Sequence, residues 1–171
     1  VSFRENLKMA DGFFQNDKKH QFAVIKKIRQ YKPDIVLANA VEDRHPDHGR
    51  AAKLVADSCF LAGLLKIETA INGKKQEAWR PKAVYHYIQY RKLKPDFGVD
   101  ISAFMEKRME AIKVYKSQFF NPDSKEPSTL ISNPLFFDYI RSREEEYGKL
   151  FNVKYAEGFN VMEEYKEDIL I

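Results

Sequence analysis

The chain has 171 residues, 29 Lys and Arg against 25 Asp and Glu, and 44% apolar residues. That is one domain's worth of sequence with enough apolar content for a substantial core. Basic and acidic residues interleave throughout, which argues against a nucleic-acid footprint, and no apolar run approaches the length of a membrane span.

A single cysteine rules out a disulfide framework. With no signal-peptide pattern at the start, the expected compartment is the cytoplasm. The sequence opens on Val1 and enters Phe3–Arg4–Glu5–Asn6–Leu7 with no preceding strand, as the continuation of something would.

Asp17 is suited to cap a helix running to about Tyr31 and closed by Pro33. Phe22, Ile25, Ile28 and Tyr31 share its apolar face, with Lys26, Lys27 and Arg29 elsewhere. Asp34 to Ala40 then reads as a buried parallel strand and Arg50 to Leu65 as a buried helix containing Cys59, a core residue. This helix–strand–helix order predicts an α/β fold, a Rossmann-like, mostly parallel sheet with helices on both faces.

Between that strand and helix lies Asp43–Arg44–His45–Pro46–Asp47–His48–Gly49, at the kind of strand end where α/β sheets place their ligands. Pro46 suits the first helical position, which leaves His45 at or beside the cap and His48 in the first turn, three residues on and able to face the same side. The positive end of the helix dipole disfavours imidazolium at both, so each is expected as a neutral ring with a lone pair to offer. Asp47 is placed to receive an N–H from one of these rings. The plainer alternative is that Asp43 or Asp47 only complements the helix terminus and the histidines are ordinary surface residues.

Lys66 to Pro81 reads as a polar excursion turning at Asn72–Gly73, and Ala83 to Tyr90 as a strand with His86 in the core or a pocket wall. Phe97 to Ile101 is expected as a short strand, and Ser102 as the cap of a helix ending near Gln118. Asn121 to Ser132 reads as an ordered loop of functional length. Asn133–Pro134 opens a helix with a solvated charged run, Arg141 to Glu146, ended by Gly148. Tyr155 to Phe159 reads as a last strand, and the acidic tail after Met162 carries little signal. Gly-rich phosphate loops, CxxC pairs and nucleophile elbows are absent, which weakens a nucleotide-binding reading.

Asp43 to Ala52 resembles the second signature of the LmbE/PIG-L-like zinc-dependent N-deacetylases. Arg4–Glu5–Asn6–Leu7, Asp11 to Asp17, Ala78–Trp79–Arg80–Pro81, Tyr85 to Gln89, Ser117–Gln118–Phe119 and Ala156–Glu157–Gly158–Phe159 resemble the branch that deacetylates N-acetylglucosaminyl malate in bacillithiol biosynthesis. The resemblance implies a single deacetylase domain over residues 1–171, acting on a small amino-sugar substrate as a trimer or hexamer. It makes His48 a Zn2+ ligand, His45 the imidazole that stabilises the oxyanion or protonates the leaving amine, and Asp47 its orienting partner. It makes Arg44 a candidate for substrate binding. The other two zinc ligands of the family lie in an His-Pro-Asp-Asp motif after a first strand, which this sequence lacks, so these residues are expected to hold half a site and to be inactive alone. The rival from another class is a non-catalytic relative of the fold, acting in binding or assembly.

Overall fold

The computed structural model describes residues 1–123, 125 and 127–162; the acidic tail lies outside them. They form two compact units, Val1–Leu93 with the residues from 160 on, and Lys94–Phe159. Both are built of helices and strands, as an α/β fold requires.

The first unit runs α1 (Lys18–Tyr31), β1 (Ile35–Ala38), α2 (Pro46–Ala62), a short hairpin β2 (Ala70–Ile71) and β3 (Lys74–Lys75), then β4 (Ala83–Tyr87). Strands β1 and β4 pair in parallel, with Ile35 opposite Ala83 and Ala38 opposite His86. Asp17 caps α1 by accepting the His20 N–H, as its position predicts. The hairpin turns on Asn72 and Gly73, both at positive φ, the pair that matches the twist of a two-residue connection.

Ile25 and Ile28 of α1 meet Cys59 and Ala62 of α2 in a core extended by Phe22, Val36, Trp79 and Val84. Cys59 is buried, and burial pushes its thiol up to about 12. Because only the thiolate reacts, a disulfide reagent should leave native protein unmodified and titrate one thiol after denaturation.

Arg29 departs from the helical-face reading, for it too is buried. Its guanidinium donates to the carbonyls of Ala62 (3.0 Å), Leu64 (3.0 Å) and Ile67 (2.6 Å) and to Thr69 Oγ1 (3.0 Å). It thus satisfies carbonyls left over where α2 stops, three residues short of Leu65. Strand β1 is also less enclosed than its apolar run predicts. Val36 and Ala38 face the core, whereas Ile35 and Leu37 are 56% and 58% exposed.

The second unit holds β5 (Phe97–Asp100), α3 (Met105–Lys113), α4 (Leu135–Phe151) and β6 (Ala156–Asn160), with β5 and β6 antiparallel. Strand directions are therefore mixed. Helix α3 begins after Phe104, because the Ser102 hydroxyl is occupied in hydrogen bonds with the Tyr155 backbone at 3.1 and 3.4 Å. Helix α4 passes through Gly148 and ends at Asn152, in the left-handed conformation. Gly148 serves close approach instead: a Cβ there would lie 2.6 Å from the Val153 and Lys154 carbonyl oxygens. Within the charged run, Arg143 and Glu144 are buried, against expectation. Phe136 is buried too and stacks on Phe119 at 5.5 Å, so these aromatics are spent largely on one another.

Candidate active site

The seven-residue motif falls where its sequence placed it, between the C-terminal end of β1 and the first turn of α2, inside the first unit. Pro46 is the first helical residue and His45 the cap. The His45 Nδ1 accepts the Asp47 backbone N–H at 3.2 Å, taking up one of the donors a helix start leaves unsatisfied. In the neutral ring this puts the proton on Nε2, leaving that nitrogen as a donor. The His45 and His48 rings stand 5.5 Å apart between centroids.

His48 is held from behind. Its Nδ1 lies 2.5 Å from Asp43 Oδ2, and since a carboxylate only accepts, Nδ1 donates and Nε2 keeps the lone pair. The Asp43 side chain is shut off from solvent. Burial pushes its carboxyl up, but the N–H groups of Arg91, His48, Arg44 and Tyr90 together outweigh burial and hold it below the usual range. Arg91 N–H donates at 2.7 Å and Tyr90 N–H at 3.2 Å. A buried carboxylate behind an imidazole fixes the tautomer and orientation that a metal ligand needs.

The Asp47 carboxylate is engaged elsewhere. It accepts the Gly12 N–H at 2.6 Å and pairs with Arg50, which also donates to the Gly12 carbonyl at 3.2 Å. Asp47 therefore reaches His45 through its backbone N–H and uses its carboxylate to tie the loop at Gly12, itself at positive φ, to the helix start. Arg44 is exposed, its guanidinium 5.6 Å from the centre of the Tyr90 ring.

Two residues of this arrangement escape a reading of the motif alone. Asp43 sits five positions before His48, outside helical spacing. Gln89, just beyond β4, donates from Nε2 to His48 Nε2 at 3.3 Å. The advance signals for Gln89 are its place at the end of the Tyr85 to Gln89 block and after a strand parallel to β1. His86 is 1% exposed and donates from Nδ1 to the Asn39 carbonyl at 2.7 Å.

Burial lowers the His86 pKa more than that hydrogen bond raises it. The unfolded chain then binds a proton the folded one refuses, so the stability His86 confers is full above about pH 6.5 and is lost as pH falls below it. Urea unfolding at pH 7.5 and 5.5 should show that loss, and His86→Gln should shrink it.

Fold and site together define an α/β protein that presents a carboxylate-backed histidine at the C-terminal ends of parallel strands. No protein-family model matches the chain. A curated relative, diacetylchitobiose deacetylase of Thermococcus kodakarensis, is 30% identical over 138 residues, 79% of this chain and 47% of the relative. The chain thus spans about half the length of that relative. Among solved structures, a conserved protein of Thermus thermophilus superposes with a TM-score of 0.79 at 28% identity, over 95% of this chain and 66% of that one. The N,N′-diacetylchitobiose deacetylase of Pyrococcus horikoshii, bound to an inhibitor, gives 0.70 at 26%, over 89% and 54%. The hydratase GalB of Pseudomonas putida, at 18% identity and a TM-score of 0.61 over 84% and 58%, shares the fold alone. The chain is thus similar in sequence and fold to diacetylchitobiose deacetylases over about half of their length.

Proposed function

We propose that this chain forms part of the active site of a zinc-dependent N-deacetylase that hydrolyses the acetamide of an amino-sugar conjugate, with N-acetylglucosaminyl malate as the substrate to test first. The observation that carries the reading is the His48 lone pair, backed by the buried Asp43 carboxylate, in a homologue of an amino-sugar deacetylase. His48 fits one place in a zinc ligand set. Zinc bound there would polarise the acetamide carbonyl and lower the pKa of a bound water to about 7.

A catalytic zinc takes three protein ligands. Among the described residues no three His, Cys, Asp or Glu side chains gather to hold a metal. The proposal therefore needs two ligands from outside them, and these residues alone should show no turnover. His45, capped so that Nε2 carries the proton, donates toward the oxygen on which charge develops. Asp47 secures that ring through its backbone N–H, and the Arg44 fork suits the malate carboxylates.

The test is acetate release by metal-loaded protein that also carries the two further ligands, supplied with N-acetylglucosaminyl malate or diacetylchitobiose. Release from the first supports the full proposal. Release from the second alone keeps the deacetylase and changes the substrate, and zinc binding with release from neither sinks it. The second reading, a binding or assembly protein, predicts calorimetric binding of the sugar without acetate. The oligomer implied by resemblance belongs to the same proposal, and a monomer by light scattering would remove it.

A further inference from the structure

We infer that Gln89 is a positioning residue for His48, the end of a hydrogen-bond relay that runs back through Asn39 and fixes where the Nε2 lone pair points. The relay is legible donor by donor. Asn39 Nδ2 donates to Gln89 Oε1 at 3.1 Å, and the Ala40 backbone N–H donates to the same oxygen at 3.4 Å. With two donors converging on Oε1, the amide cannot turn over without placing its NH2 group against them. Its Nε2 is therefore the atom that faces His48, and it approaches the one ring nitrogen that can accept.

Asn39 is itself fixed. The buried His86, opposite Ala38 in the parallel ladder, donates to the Asn39 carbonyl at 2.7 Å. Asp43 completes the grip by accepting the hydrogen bond from Nδ1–H on the other side of the ring, while Tyr90 and Arg91, directly after Gln89, supply its backbone donors. Residues 86–91 thus hold His48 from both nitrogens, Asp43 deciding where the proton sits and Gln89 where the lone pair points. Any cation or substrate that takes this lone pair displaces the Gln89 N–H and leaves it as a donor beside the incoming group. That consequence rests on the proposed deacetylase role of His48, but the relay itself does not.

The experiment is a 15N spectrum of the histidine side chains of this chain, metal-free and at one fixed pH near 7.5, for wild type and for Gln89→Met, Gln89→Leu and Asn39→Ala. Wild type should show His48 protonated on Nδ1, with the Nε2 resonance displaced from that of an unbonded imine nitrogen by the donated hydrogen bond. Both Gln89 variants should move Nε2 to the unbonded position while Nδ1 keeps its proton. Asn39→Ala should produce the same displacement through a residue that acts only by way of Gln89. If the Nε2 resonance stays put in the folded Gln89 variants, or moves in them but not in Asn39→Ala, the relay is wrong. Having both Met and Leu at position 89 guards against one failing to fold, and unfolding midpoints near wild type mark the usable variants. Because no turnover is measured, failure of the relay and failure of the deacetylase reading are separate results. In protein shown to release acetate, Gln89→Met should lower kcat/KM by about tenfold or more with metal content unchanged, the scale on which partners that orient a ligand act.

Discussion

Under the proposed deacetylase role, His48→Ala should cost about 10³-fold or more in acetate release by metal-loaded protein and remove the bound metal with it. The size follows from what is lost together: a ligand, and with it the polarisation of the carbonyl and the activated water, where a single acid–base group alone contributes about 10² to 10⁴. His45→Ala should behave differently, because the Nδ1 lone pair of His45 is taken by the Asp47 N–H and the neutral ring has only a donor left to offer. It should keep the metal and lose roughly 10²- to 10³-fold, the scale of one oxyanion donor. Metal content by elemental analysis, beside acetate release, separates the two. Metal lost from His45→Ala and retained in His48→Ala would exchange their roles.

Glu144→Ala should be the most damaging single change to stability in the second unit. Glu144 and Arg143 are 1% and 4% exposed, and the carboxylate accepts from Arg143 at 2.7 Å and Arg108 at 3.2 Å, while Arg108 also holds Glu157 at 2.6 Å. Removing the carboxylate takes from the buried Arg143 guanidinium the charge that lies 2.7 Å away, and deleting one partner of a buried pair costs roughly 3–5 kcal/mol. For a chain of this length that corresponds to a fall in Tm of roughly 6–20 °C. The exposed pair Arg141–Glu106, at 2.7 Å, is the control on a nearby helix turn. Glu106→Ala should barely move the transition, since water already solvates both partners. Calorimetric scans of the two variants decide it, and equal shifts would show that the buried network is not what holds this unit.

The elements that read correctly from sequence carry their cause within a few residues. Asp17 and Pro46 start α1 and α2 through cap and proline chemistry, and Asn72–Gly73 sets its hairpin. Misreadings came where a distant partner redefined a polar residue. Arg29 and Glu144 look solvated in a helical pattern, yet carbonyls after α2 and the guanidinium groups of Arg143 and Arg108 make their burial tolerable. Ser102 likewise looks like a cap and is claimed by Tyr155.

The candidate site divides the same way. The sequence by itself determined the strand-to-helix junction, the cap at His45 and the placing of His48 in the first turn, because each follows from backbone chemistry over seven residues. Only the tertiary structure decided which carboxylate meets an imidazole. Asp47, at the second helical position, is directed to Gly12 and Arg50, whereas Asp43, before the cap, folds back against His48 under the N–H groups of residues 90 and 91. The parallel pairing of β1 with β4 brings those donors and Gln89 to the motif from more than forty residues away. Spacing along the chain carries no information about that approach, since it is fixed by strand register.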